Sequence, residues 1–207
     1  MLTDTQLTEL SEKMGIPLEA VLFKDEMPQK IKYNKSYIIN IEDSVNGEGV
    51  RNDGTHWTCL QVNKYSNGKI EPFYFDAYGM PPPENIKKVV MNTCGQKLPF
   101  NTKDIQSLMN NACGFYCVAL LHYINECPTR IGDLYEDAEH FLGMFDDLNK
   151  SVDFKKNEYI LKHFFVPKDP SLRKAIEIDT QPARIVAEDS GAGIDMMQIG
   201  VDVKQLP

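Results

Sequence analysis

The sequence predicts an α+β body followed by a tail, and three observations carry that prediction. The runs "HWTCLQVNKY" and "KIEPFYFDAY" flank Ser66-Asn67-Gly68. Asn-Gly supports the turn that matches strand twist, so the pair reads as a β-hairpin. Phe115 to Ile124 is apolar nearly all round, and such a helix belongs at the centre of a domain. Every aromatic residue lies before Val166. That change divides the 207-residue chain into a compact part, 1–165, and a tail or extension, 166–207.

The elements follow in order. Thr3 or Asp4 caps a first helix, with Leu7, Leu10 and Met14 at helical spacing and Gly15 as its stop. "PLEAVLF" (17–23) reads as a second, short helix. "SYIINI" (36–41) is apolar and β-branched, a buried strand. A polar, Gly-rich loop over 42–55 leads into the hairpin. "MPPPENIKKVVMN" (80–92) gives a rigid proline turn and then a helix. After the central helix, "LYEDAEHFLGMFDDL" (134–148) and "NEYILKHFF" (157–165) read as two more helices. In the tail, Met197, Ile199, Val201 and Val203 alternate as a half-buried strand would. The tail is expected to pack as an extra strand, to meet a partner or to regulate access to a groove. Its "SGAG" (190–193) reads as a flexible linker or a self-cleavage site.

Composition narrows the function classes. A 42% hydrophobic, 25% charged chain can bury one good core. Its 30 acidic and 22 basic residues give a net charge of −8 with no Lys/Arg block, a poor match for a nucleic-acid backbone. The first residues contain no signal-peptide core, and no segment approaches the roughly 20 apolar residues of a membrane span. A soluble, cytosolic protein is expected. The cysteines number five, and an odd count without a secretory signal favours reduced thiols over a disulfide framework.

One of them, Cys113, stands with Gly114 where a polar turn becomes the central helix. A helix N-terminus carries unsatisfied N–H groups and roughly half a positive charge. A thiol there ionises more easily, and the thiolate is the reactive form. Gly114 would leave space for a backbone or a substrate. Taken alone, a small buried residue at a helix entry explains "NACG" equally well. Two further residues shift the balance. His56, in "GTHW", opens one hairpin strand, and Asp76, in "YFDAYG", closes the other. Folding about Asn67-Gly68 sets Asp76 opposite Cys59 and His56 opposite Gly79, at one open end of the hairpin, where a bulge near Pro72 would bring them into contact. A carboxylate beside a histidine fixes its tautomer and supports its protonated form, which a thiolate needs. A metal site is the competing chemistry, because Cys113, Cys117, His122 and Cys127 read as C-x3-C-x4-H-x4-C. At about 100° per residue, however, only Cys113 and Cys117 share a helix face, so no metal is expected.

"GTHW", "FYFDAYG" and "IQSLMNNACGFYCVALLHYI", in that order, resemble the signature of the adenovirus-type maturation cysteine proteases and the ubiquitin-like-protein-specific proteases. "FDAYGMPPP" most resembles the versions carried by virophages and Maverick/Polinton elements. The resemblance runs from the first helix, through "FKDEMP", to about residue 165. It implies a papain-like/adenain-like fold, a mixed sheet packed on a central helix that starts at the catalytic cysteine. It implies Cys113 as nucleophile, His56 as general base and acid, and Asp76 as the orienting carboxylate. Gln106 would join the Cys113 N–H in the oxyanion hole, and Trp57 would wall the histidine. The implied activity is cleavage of capsid or other structural precursor proteins next to small residues such as glycine, in the virion and the host-cell cytoplasm. Family members use DNA or an activating peptide. The net charge of −8 disfavours DNA here, while Cys94 lies in a region comparable to the cysteine that holds the peptide. No cofactor is required by the sequence itself. Two alternatives stay open: a deconjugating protease for a ubiquitin-like modifier, and an inactive protease-fold binding module.

Overall fold

A computed structural model describes residues 1–108, 110–126, 133–149 and 154–165. The predicted tail, with its alternating residues and "SGAG", lies outside the described residues, as does Cys127.

The described residues form an α+β architecture, with a mixed four-stranded sheet and five α-helices among them. Helix α1 spans Asp4–Lys13 and is opened by a reciprocal capping box between Thr3 and Gln6. Strands β1 (Leu18–Phe23), β2 (Lys35–Asn40), β3 (Trp57–Lys64) and β4 (Ile70–Phe75) stand side by side in that order. β1 runs parallel to β2, and the other two pairs are antiparallel. Helices α2 (Glu84–Cys94), α3 (Cys113–Glu126), α4 (Leu134–Gly143) and α5 (Phe154–Phe165) complete the body.

The segment read as a short helix, "PLEAVLF", is instead β1. Leu, Glu and Ala favour a helix locally, but that preference is a fraction of a kcal/mol per residue and packing overrides it. Val21 joins the core on one face of the sheet, Ala20 and Leu22 that on the other. An irregularity between Leu18 and Ala20 puts Leu18 on the same side as Val21.

Both faces of the sheet are covered, which explains the near-continuous apolar strands. On one face Ile38, Cys59, Phe73 and Phe75 pack with α1, α3, α4 and α5. On the other, Tyr37, Ile39, Leu60, Val62 and Tyr74 meet Ile86 and Val90 of α2. Cys113 through Ile124 of α3 is buried without interruption, as its all-round apolar run predicts. Among the described residues, no helix is long and apolar enough to cross a membrane.

The hairpin register differs by one residue from the predicted one. Cys59 pairs with Phe75, and the pairing runs unbroken to Lys64 and Ile70 with no bulge at Pro72. Beyond β4, residues 99–106 return to the same edge and run parallel to it. Phe100 bridges Tyr74, the Tyr74 N–H donates to the Pro99 carbonyl (3.0 Å), and the Ile105 and Gln106 N–H groups donate to the Ala77 carbonyl (2.8 and 3.2 Å). Gly79 permits this crossing: φ is +71°, and a Cβ there would sit 2.7 Å from the Thr102 carbonyl carbon and oxygen. Gly79→Ala is therefore expected to lower stability by roughly 1–3 kcal/mol, read as a lower urea midpoint at unchanged slope. Gly68→Ala, whose Cβ would meet nothing within 4 Å, leaves only the cost of its positive φ.

Candidate active site

The start of β3 and the N-terminal end of α3 meet at the backbone of one residue, Trp57. The Trp57 N–H donates to Cys113 Sγ (3.5 Å), and Cys117 Sγ donates to the Trp57 carbonyl (3.4 Å). Cys113 and Cys117 lie one helical turn apart and so share a face. His56, the residue before Trp57, is thereby held beside the thiol. Its own carbonyl accepts from the Ile41 N–H (3.1 Å). The Trp57 indole N–H donates to the Leu2 carbonyl (2.9 Å).

Asp76 follows the last residue of β4. Its Oδ1 lies 3.1 Å from His56 Nε2 and also accepts from the Tyr78 N–H (2.7 Å). Asn101 fixes its backbone in both directions: the Asp76 N–H donates to Asn101 Oδ1 (3.0 Å), and Asn101 Nδ2 donates to the Asp76 carbonyl (2.7 Å). The tighter register sets Tyr78 opposite His56, and the rings stack with centroids 4.7 Å apart and planes 25° apart. No bulge is needed: the strand ends are joined by the side chains themselves.

His56 is 7% exposed and Asp76 2%. Burial opposes a charged imidazole, but hydrogen bonds and charges from Asp76 and Cys113 outweigh it and raise His56 from 6.5 to about 9. Asp76 holds Nε2, which leaves Nδ1 for the Cys113 thiol. The Cys113 N–H is among the amides that an α-helix leaves without an internal partner. Full burial, with Cys59 beside it, raises the Cys117 thiol well above the usual range.

Gln106 is brought to the same place, 1% exposed. Its Nε2 donates to the Tyr78 hydroxyl and to the Asn110 carbonyl, both at 3.1 Å. Its Oε1 has no hydrogen-bond partner among the described residues. Asn110 is held by Glu158 of α5 (2.6 Å) and accepts from the Ala112 N–H (3.2 Å), steadying the turn before Cys113.

Trp57 forms one wall of a cleft of about 420 Å³ with Leu2, Phe23, Arg51 and Gly54. Gly114 faces α1 and not open space: a Cβ there would lie 2.9 Å from Leu7 Cδ2 and 3.4 Å from Leu2 Cδ1. The space kept by this glycine admits side chains of the N-terminal segment. His122 turns away and engages the Met14 carbonyl through Nδ1 (2.8 Å). Cys94 ends α2 as a half-buried free thiol.

The structure thus brings His56, Asp76, Gln106, Cys113 and Trp57 together. Sequence reasoning missed Tyr78, Asn101, Asn110 and Glu158. Only Tyr78 carried a signal, since a register one residue tighter sets it opposite His56. No protein-family model matches the chain, and no curated protein matches it.

The His56 pKa sets a pH dependence. Because it is raised above its unfolded value of 6.5, its stabilising contribution is complete below pH 6.5 and is lost as pH climbs through about 9. That contribution is on the order of 3 kcal/mol. Urea unfolding should show stability falling across this window, and Asp76→Asn should flatten the fall.

Proposed function

We propose that the chain is a cysteine endopeptidase of papain-like, adenain-like fold that processes viral capsid or other structural precursor proteins. The observation that carries the reading is a convergence of three side chains: His56 engages Asp76 through Nε2 (3.1 Å), Cys113 Sγ accepts from the N–H of the next residue, Trp57 (3.5 Å), and Asp76 and Cys113 together raise the imidazole pKa, at the N-terminus of a buried helix. A carboxylate that orients a histidine, which in turn pairs with a thiol, is the arrangement of nucleophilic acyl transfer.

In the proposed reaction Cys113 Sγ attacks the scissile carbonyl carbon. The C–S bond forms as the carbonyl electron pair moves onto oxygen. The His56 imidazolium gives its proton to the leaving nitrogen, the C–N bond breaks, and a thioester remains. The now neutral His56 takes a proton from water, whose oxygen attacks the thioester. The thiolate leaves with its electron pair, and the second product is a carboxylic acid. Asp76 stays ionised and supports each imidazolium. The developing oxyanion needs fixed donors. The Cys113 N–H is one, and the Gln106 and Tyr78 side chains stand nearby.

The cleft beside Trp57 is next to His56 in sequence but is lined by none of His56, Asp76, Gln106 and Cys113, whereas a cavity of about 350 Å³ is lined by His56, Asp76 and Tyr78. Cleavage next to small residues such as glycine is the proposed preference. Precursor processing in the virion and the host-cell cytoplasm is the proposed setting, with neither DNA nor metal in the mechanism as drawn.

The test reads the thiol first. Iodoacetamide should modify Cys113 rapidly well below the ordinary thiol pKa of about 8.5, and His56→Ala should remove that advantage. A rate that follows an ordinary thiol titration in both proteins would overturn the enzyme reading in favour of a binding module. Cys113→Ala should abolish cleavage of a capsid-protein precursor by the wild type. Cleavage of a ubiquitin-like precursor in its place would reassign the substrate and keep the chemistry.

A further inference from the structure

Resting on the protease reading, we propose that the side-chain donor facing the oxyanion is the Tyr78 hydroxyl, and that Gln106 is the positioning residue that fixes it. The amide of Gln106 offers two N–H groups, and both are occupied, one by the Asn110 carbonyl and one by the Tyr78 oxygen, each at 3.1 Å. The Asn110 carbonyl can only accept. It therefore fixes which end of the amide is nitrogen and excludes the flipped rotamer. Gln106 Oε1, at the other end, cannot donate.

The Tyr78 oxygen, in contrast, accepts from Gln106 and so keeps its own hydrogen to give. Among the described residues that hydrogen meets no acceptor. The ring is held in three ways. It stacks on the His56 imidazole at 4.7 Å, its backbone N–H donates to Asp76 Oδ1 at 2.7 Å, and its hydroxyl is caught by Gln106. Tyr78 is half-buried, whereas Gln106 is 1% exposed, so the tyrosine is the more accessible member of the pair. The phenol also feels the reacting sulfur: burial first, then charge on Cys113 and Asp76, raise its pKa to about 12. It stays protonated throughout the neutral range and can serve as a donor. An N–H···O–H chain that ends on an anion strengthens each member, so the Gln106 amide makes the tyrosine a better donor without touching the substrate.

Two small reagents separate this role from the rest of the site. Acylation by p-nitrophenyl acetate passes through an oxyanion, whereas alkylation by iodoacetamide does not, and neither needs peptide recognition. Tyr78→Phe keeps the stacked ring and removes the hydroxyl. It is expected to slow the p-nitrophenolate burst by about 10²-fold and to leave iodoacetamide alkylation unchanged. Gln106→Leu, which leaves the hydroxyl in place but loosens it, should cost less than Tyr78→Phe. Equal acylation by wild type and Tyr78→Phe would overturn the proposal. So would an equal loss of both reactions, or a larger loss in Gln106→Leu, which would make the amide the donor. If Tyr78→Phe fails to fold, Gln106→Leu alone decides: an acylation loss of 10²-fold or more with alkylation intact assigns the donor to Gln106, and a smaller loss supports Tyr78. A wild-type thiol that shows neither activated reaction would sink the protease reading itself, an outcome distinct from all of these.

Discussion

The candidate site depends on the backbone of one residue, Trp57. Its N–H rests on Cys113 Sγ and its C=O accepts from Cys117 Sγ. Hydrogen bonds to sulfur are individually weak, yet these are buried where no water can replace them, and burial makes an unmade bond costly. The pair ties the first residue of β3 to the N-terminal end of α3. His56 immediately precedes that residue, and Cys113 opens that helix. The distance between base and thiol is consequently set by strand–helix docking, with no reliance on a loop. Cys117 is a small core residue that also supplies a donor, a combination that Ala or Val in its place would lack.

The acidic half of the site is secured by a different device. Asp76 lies just past the end of β4, where strand pairing stops, and its peptide groups would otherwise face a buried region without partners. Asn101 takes over, accepting from one and donating to the other, as a neighbouring strand would. Residues 99–106 thereby extend the sheet edge, and the same stretch delivers Gln106 to Tyr78. Four separate segments, around His56, Asp76, Gln106 and Cys113, converge, with Gln106 joined to the others through Tyr78 and Asn110. The electrostatic consequence follows: an imidazole this buried would normally lose its proton more readily, and it keeps it because Asp76 and Cys113 favour its charged form.

What the sequence disclosed was governed by range. Local signals read correctly: the Thr3 cap, Asn67-Gly68 and the all-apolar course of α3 each depend on a few neighbouring residues. "PLEAVLF" misread because its local preference and its tertiary environment disagree, and β1 is decided by what lies on its two faces. The hairpin register was misjudged by a single residue, and at a side-chain period of two that is the difference between Gly79 and Tyr78 opposite His56. Gly114 showed that space was needed but could not show for what, since Leu7 is more than a hundred positions away. Asn101 left no trace at all, because its role is to imitate a backbone and any asparagine looks alike in sequence.

Gln106 offers the sharpest argument about what kind of site this is. Its Oε1 is buried without a partner, and an unsatisfied buried acceptor costs about 1–3 kcal/mol. A domain required only to fold has a cheaper solution at that position, since leucine or methionine would fill similar volume with no polar atom to satisfy. The expense makes sense if the other end of the amide is needed, and that end is spent on fixing Asn110, three residues before the thiol, and on the hydroxyl of the tyrosine stacked on His56. On the proposed protease reading the arrangement has a use, because oriented donors lower a barrier only if they are already fixed when charge develops.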